Sequence, residues 1–331
     1  MHGKFSYNEY MKFRAVRFCT ILLILSALPL FLFANNLRDD SFIQFETLYF
    51  SNFAKAMSVC YSENFVRKGI EIENGNITRF IELKNHTSSA QKKKTQKFFY
   101  ISGRLIPGEN LRNLKFDWKD YAPIYAESYS SKIVEPKDMS PLQKKLIVEL
   151  GRTENRRNNK PNTFTLVQNF IYNAETQRQI EQELGRITFL GERISVHYKI
   201  KPALSRVQAK LDKAALTDWQ VRRFLERPHT ISAYNWREIR DSYQRSAHSW
   251  GLSIDYMEAE EIRGSKQIYW RWAKGFYDDD WVNIGTKKRW HPGDSVIAIF
   301  ESEGFVWGGK WELWDNMHFE YRPEVIYMMQ N

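Results

Sequence analysis

Apolar and polar positions along this chain follow two periods, one of two residues and one of three to four. From Ile70 to Ile77 they alternate one by one around Asn74-Gly75, which predicts a β-hairpin with a tight turn. Phe98 to Ser102, ended by Gly103, is a short apolar run and predicts a strand. The stretch from His86 to Lys97, with Lys92, Lys93 and Lys94, is polar and reads as a solvated loop. Ser140-Pro-Leu-Gln143 carries the capping-box pattern with proline in the first turn. Leu142, Leu146 and Leu150 continue that helix, and Gly151 ends it. Residues 152–162 are polar and basic and predict an exposed loop or linker. Ala174 to Leu184 predicts a helix closed by Gly185, and Ile194 to Tyr198 a short strand. Ala203 to Leu211 and Asp218 to Leu225 place apolar residues at helical steps, so two amphipathic helices follow, the second stopped by Pro228. Asp294 is placed to cap a helix whose Val296, Ile299 and Phe300 share a face and which Gly304 closes. Gly308-Gly309 then turns into the last strand. Together these elements predict an α+β fold, a small antiparallel sheet flanked by helices. They divide the chain into a leader at 1–34, an accessory region at 35–160 and a main domain at 161–331.

Composition adds compartment and partner to this picture. Of 331 residues, 43% are hydrophobic, which excludes global disorder. Lys4, Lys12, Arg14 and Arg17 precede an apolar run at 18–34, the layout of a secretory signal. The run is short against the roughly 20 residues of a membrane span, and Pro29 interrupts it. Export follows, to the periplasm or the cell wall, with cleavage after Ala34; the alternative is an uncleaved anchor, the one expected contact with a membrane. Removal of the leader leaves Cys60 as the only cysteine, which excludes an intramolecular disulfide and a cysteine-based zinc site. The net charge of +10 suits an anionic partner or a solvated basic surface. No nucleic-acid-reading motif accompanies it, and export argues against that class. Ten of the eleven tryptophans lie at or beyond Trp219, as core residues or as the lining of a groove.

The candidate chemistry lies in that tryptophan-rich part. Ser246-Ala-His-Ser-Trp-Gly-Leu-Ser-Ile-Asp255 offers an imidazole at His248 and a carboxylate at Asp255. A turn at Gly251 would let them converge. In the strand that follows, Leu252 and Ile254 share the core face, and Ser253 and Asp255 the other. Trp311 to Tyr321 adds His318, with Asp315 three residues before it. Two imidazoles, one carboxylate and an open fourth position suit one catalytic Zn2+, and a nearby carboxylate suits proton transfer from its water. Glu320 shares His318's strand face, as a rival base or as the acceptor for a ligand N–H. Ser246 either bonds substrate or shapes the loop. His197 has no partner at metal spacing and reads as structural, and His229, beside Pro228, is expected near the cleft rim.

Ser-x-His-x-x-Gly-x-x-x-Asp, followed by Trp314-Asp-x-x-His-Phe-Glu320, resembles the zinc D-alanyl-D-alanine carboxypeptidase and L-alanyl-D-glutamate endopeptidase family, the VanY-like peptidoglycan peptidases. Tyr234 to Ile239, Tyr269 to Trp272 and Ile299 to Trp311 carry the likeness further, over roughly residues 185–325. Ser253 departs from it, standing where the family usually has a similarly small alanine. The resemblance implies His248, Asp255 and His318 as metal ligands, Asp315 as general base and Arg237 as the group that holds the scissile carbonyl, with Arg240 and Arg245 as rivals for that role. It implies peptidoglycan stem peptides as substrate and leaves the bond that is cut open. The other class of function is a non-catalytic cell-wall-binding or scaffolding protein on the same fold.

Overall fold

The computed structural model describes residues 40–73, 76–85, 94–111, 113, 116–117, 120–124, 129–130, 132–158, 160–239, 242–259, 268–270 and 279–331. The leader at 1–34, the Asn74-Gly75 turn, the polar stretch 86–93, Arg240 and Trp272 lie outside these residues. Among the described residues no helix is long and apolar enough to cross a membrane.

The chain forms two compact units that do not follow chain order. The first takes 1–83, 96–127 and 159–167. Helix α1 (Asp40–Cys60) precedes four strands, β1 (Phe65–Glu73), β2 (Asn76–Lys84), β3 (Thr95–Ile101) and β4 (Arg104–Pro107), and a one-turn helix α2 (Gly108–Leu111). The sheet order is β1-β2-β3-β4, with β1/β2 and β3/β4 antiparallel. Ser102 and Gly103 both take positive φ between β3 and β4, as a two-residue hairpin requires. Phe53, Met57, Phe80, Phe98, Leu105 and Ile106 are buried, whereas Ile70 and Ile72 on the edge strand β1 stay exposed.

The second unit takes 84–95, 128–158 and 168–331. It contains α3 (Pro141–Gly151) and α4 (Thr153–Asn158), and α5 (Phe164–Ile171) runs into it. Then come α6 (Gln177–Gln182), the hairpin β5 (Leu184–Phe189) and β6 (Glu192–His197), α7 (Lys201–Ala214) and α8 (Trp219–Glu226). The main sheet is β7 (His229–Ser232), β8 (Ser253–Glu258), β9 (Phe305–Trp307) and β10 (His318–Tyr321), in the order β7-β8-β10-β9 and antiparallel throughout. Helices α9 (Asp294–Glu301) and α10 (Pro323–Gln330) complete it. Leu252, Ile254, Phe305 and Phe319 are buried on one face of the sheet, and Phe300 of α9 stacks on Phe319 at 4.1 Å between centroids. The opposite face, where the strand period puts His318 and Glu320, is left for chemistry.

The mixed helices and antiparallel sheets are the α+β class expected, and five details differ. Residues 153–158 are helical although polar throughout, because none of α4 is buried and the helix needs no apolar face. Only Gln177–Gln182 of the helix expected at 174–184 forms, opened by a Thr176/Gln179 capping box; Leu184 and Gly185 instead pair with His197 and Val196. Strand β3 begins at Thr95, and its Lys97 pairs with Glu71 rather than lying in a loop. Asp294 is the first helical residue, not the cap, and α9 buries Ile297 in place of Ile299. Helix α3 has the expected Ser140/Gln143 box but buries Ile147, Val148 and Gly151, leaving Leu142 exposed.

Candidate metal centre

His248 sits in a single 3-10 turn, Ala247–Trp250, between Ser246 and Gly251. The Ser246 hydroxyl accepts the His248 N–H at 3.4 Å, so the serine shapes the loop from inside, 4% exposed. Gly251 closes the turn with φ +64°, a left-handed backbone that a side chain disfavours. A Cβ there would stand 2.7 Å from the His197 backbone nitrogen, whose N–H donates to the Gly251 carbonyl at 2.9 Å. The turn therefore reverses tightly, and the chain enters β8 with Asp255 opposite His248. Its Nδ1 donates to the Ala233 carbonyl at 2.5 Å, which leaves Nε2 facing the cluster. That Nε2 is buried, lies 3.1 Å from Asp255 Oδ2 and makes no hydrogen bond among the described residues.

His318 and Asp255 are direct cross-strand partners on β10 and β8, which sets their side chains beside each other on one face. His318 Nδ1 is 2.8 Å from Asp255 Oδ1, and Nε2 is 3.4 Å from Glu320 Oε2. Arg322 Nη1 lies 3.5 Å from the other Glu320 oxygen. One donor atom each from His248, Asp255 and His318 falls within 4.8 Å of the others, and all three residues are buried. Burial alone would raise the Asp255 carboxyl, but the imidazoles of His248 and His318 hold it well below the usual carboxylate range. Burial alone would lower His318, yet its hydrogen bonds to Asp255 and Glu320, with the charges of Asp255 and Asp315, push it up to about 10. The pocket thus favours positive charge between carboxylates. Two imidazole nitrogens and a carboxylate, one nitrogen buried without a hydrogen bond, fit a divalent metal. His318 Nε2 on Glu320 and His248 Nδ1 on Ala233 are the outer contacts that such ligands need.

The remaining expected residues are placed as follows. Asp315 is half-buried. Its backbone N–H donates to Gly308 at 3.0 Å and its carbonyl accepts from His318 at 3.2 Å, while its charge acts on His318. Arg237 is exposed. Its N–H donates to Ser249 Oγ at 2.8 Å and its carbonyl accepts from the same hydroxyl at 2.7 Å, which ties its backbone to the His248 loop. Among the described residues its guanidinium makes no hydrogen bond or ion pair. Arg245, the rival, lies over Trp236 at 3.9 Å and Trp250 at 4.3 Å and donates to Asn169, Ala174 and Ser249, so it holds the loop together. The Ser253 face of β8, expected at a cleft, is itself buried at that residue.

His197 caps the turn at 198–200: Nδ1 accepts from the Lys199 N–H at 3.2 Å and Nε2 donates to Tyr172 at 3.1 Å. His229 stacks on Tyr256 with its nitrogens on the Arg227 and Leu190 carbonyls, away from the cluster. Of the tryptophans, Trp250, Trp281, Trp290, Trp307 and Trp314 are core. Trp311 instead lies against His318, 5.2 Å between ring centroids. The Ala233 carbonyl, Arg322 and Trp311 complete the surroundings; of these, Trp311 lies in the family-like stretches, and the other two carry no distinctive sequence signal.

No curated protein and no solved structure matches the chain. A family model described as D-alanyl-D-alanine carboxypeptidase matches residues 240–321. The matched stretch holds His248, Asp255, Asp315, His318 and Glu320, and Arg237 precedes it. Over residues 240–321 the chain carries the pattern of the D-alanyl-D-alanine carboxypeptidase family, which bears out the resemblance of its ligand motifs.

Proposed function

We propose that the chain is an exported zinc-dependent peptidase that hydrolyses D-amino-acid-containing peptide bonds of peptidoglycan stem peptides, of the D-Ala-D-Ala carboxypeptidase type. The observation that carries this reading is the convergence of His248, Asp255 and His318 inside the family-matched stretch. These three would hold one Zn2+. When bound, zinc supplies a Lewis acid that polarises the carbonyl and lowers the pKa of a water. Asp315 takes the proton of the attacking water and returns it to the leaving amine. Glu320 is the weaker candidate base, because its two oxygens already face His318 and Arg322. The Arg237 guanidinium, which no neighbour among the described residues occupies, donates to the scissile carbonyl oxygen as charge grows there. Ala233 and Glu320 fix the two imidazoles by accepting their outer protons.

Export rests on the basic residues Lys4 to Arg17 and the apolar run 18–34, and places the protein in the periplasm or at the cell wall. A non-catalytic cell-wall-binding protein would share the metal cluster; the presence of both Asp315 and Arg237 favours the enzyme. Digestion of purified peptidoglycan by the metal-loaded protein, with mass analysis of the fragments, tests the reading. Release of D-alanine or of cut stem peptides is expected. Binding to peptidoglycan without any cleavage would replace the enzyme with the scaffolding protein.

A further inference from the structure

Asp315 stands on a short connection, and that connection is braced from outside the family-matched stretch. Its N–H is held by the Gly308 carbonyl. The residue before Gly308, Trp307, grips the other side: its indole Nε1 donates to the Asn316 carbonyl at 2.6 Å. Trp307 and Gly308 therefore bracket Asp315 from before and after. Trp307 lies on β9, which among the described strands is at the sheet edge and pairs with β10. Its backbone N–H donates to the hydroxyl of Tyr129 at 2.9 Å. That hydroxyl in turn donates to Glu301 Oε1 at 2.5 Å, an oxygen that Lys310 also reaches, with Lys310 Nζ 5.6 Å above the Tyr129 ring. One phenol thus ties the last residue of α9 to the edge strand, which supports Asp315 beside the bridge from Trp270 and the Tyr269 and Trp290 carbonyls on Asn316. Burial, then the Glu301 carboxylate, push the Tyr129 hydroxyl well above its ordinary range, so it remains a donor to Glu301.

We propose that Tyr129 is a positioning residue for Asp315, and that a side chain well ahead of the matched stretch thereby takes part in the peptidase's proton transfer. The proposal rests on the reading of Asp315 as the base. The metal ligands stand on β8, β10 and the 3-10 turn; of the three, His318 touches the bracket, through its N–H on the Asp315 carbonyl.

Tyr129→Phe removes the hydroxyl and keeps the ring. Four proteins are compared: wild type, Tyr129→Phe, Asp315→Ala and the double variant. In Tyr129→Phe, kcat for stem-peptide cleavage should fall about 10- to 100-fold, the scale of a small displacement of a reacting group. KM and zinc content should stay unchanged, and hydrogen exchange at the Trp307 and Asp315 amides should speed up. In the Asp315→Ala background, Tyr129→Phe should slow residual cleavage no further, because the tyrosine acts through the missing carboxylate. With an active wild type, unchanged exchange at Asp315, or an equal slowdown in both backgrounds, overturns the positioning role and leaves the peptidase reading intact. An inactive wild type overturns the peptidase reading itself, and any part for Tyr129 in a reaction with it.

Discussion

At the scale of single residues, metal binding and proton transfer are separable and can be tested apart. The protein should hold about one zinc ion, and His248→Ala, Asp255→Ala and His318→Ala should each lose it, since each removes one of three donors. Metal analysis decides; full occupancy in all three variants sinks the assignment. Asp315→Ala should keep zinc and lose about 100- to 10,000-fold in cleavage rate. Arg237→Ala should also keep zinc and lose on the order of 100- to 1000-fold, while Glu320→Gln should lose only about 10- to 100-fold. Cleavage assays beside metal content separate the roles: a dead Glu320→Gln with an active Asp315→Ala would exchange the two acids. The convergence of His248, Asp255 and His318 was legible in the sequence because so few residue types can ligate a metal. The Ala233 carbonyl and the Tyr129 hydroxyl were not, because a backbone carbonyl has no residue code and Tyr129 reaches Trp307 only through the tertiary fold.

At the scale of elements, two local devices hold the site. Gly251→Ala should destabilise the second unit by at least about 1–2 kcal/mol, the cost of a left-handed non-glycine residue. The contact with the His197 nitrogen adds to this, and zinc affinity should fall as His248 is displaced. Urea unfolding and metal titration measure both effects; wild-type values in both would mean that the turn relaxes freely. The second device is His197, whose burial, with the nearby Lys199 charge, lowers its pKa from 6.5 to about 3. Folded, it stays neutral while the unfolded chain takes up a proton below pH 6.5. Its contribution is therefore present above pH 6.5 and is lost toward pH 3, at about 1.4 kcal/mol per unit. Urea unfolding at pH 7 and pH 5 should show a steeper loss for wild type than for His197→Gln, and equal losses would remove His197 as the cause. Capping signals at Ser140 and Gly304 were readable because they are local. The fate of Leu184 and Gly185 was not, because pairing with β6 decides it, and a tertiary partner overrides local propensity.

At the scale of the whole molecule, the unit that holds the metal cluster is larger than its recognisable motif. Ile147 and Val148 of α3 pack with Trp281, Val282, Ile284 and Trp314, so a segment well ahead of residue 240 covers the residue next to Asp315. Ile147→Ala should lower stability by about 2–5 kcal/mol. A denaturation midpoint equal to wild type would mean that α3 contributes nothing to this core. Sequence periodicity gave the helix but not its destination, since an apolar face does not name the surface that buries it. The sheet order carries a last consequence. His318 and Asp255 occupy the two interior strands, whereas Asp315 hangs from a connection that leans on the edge strand β9. On the proposed peptidase reading, variation at that edge retunes turnover while the metal ligands keep their places, a short mutational route from cutting a polymer to merely gripping it.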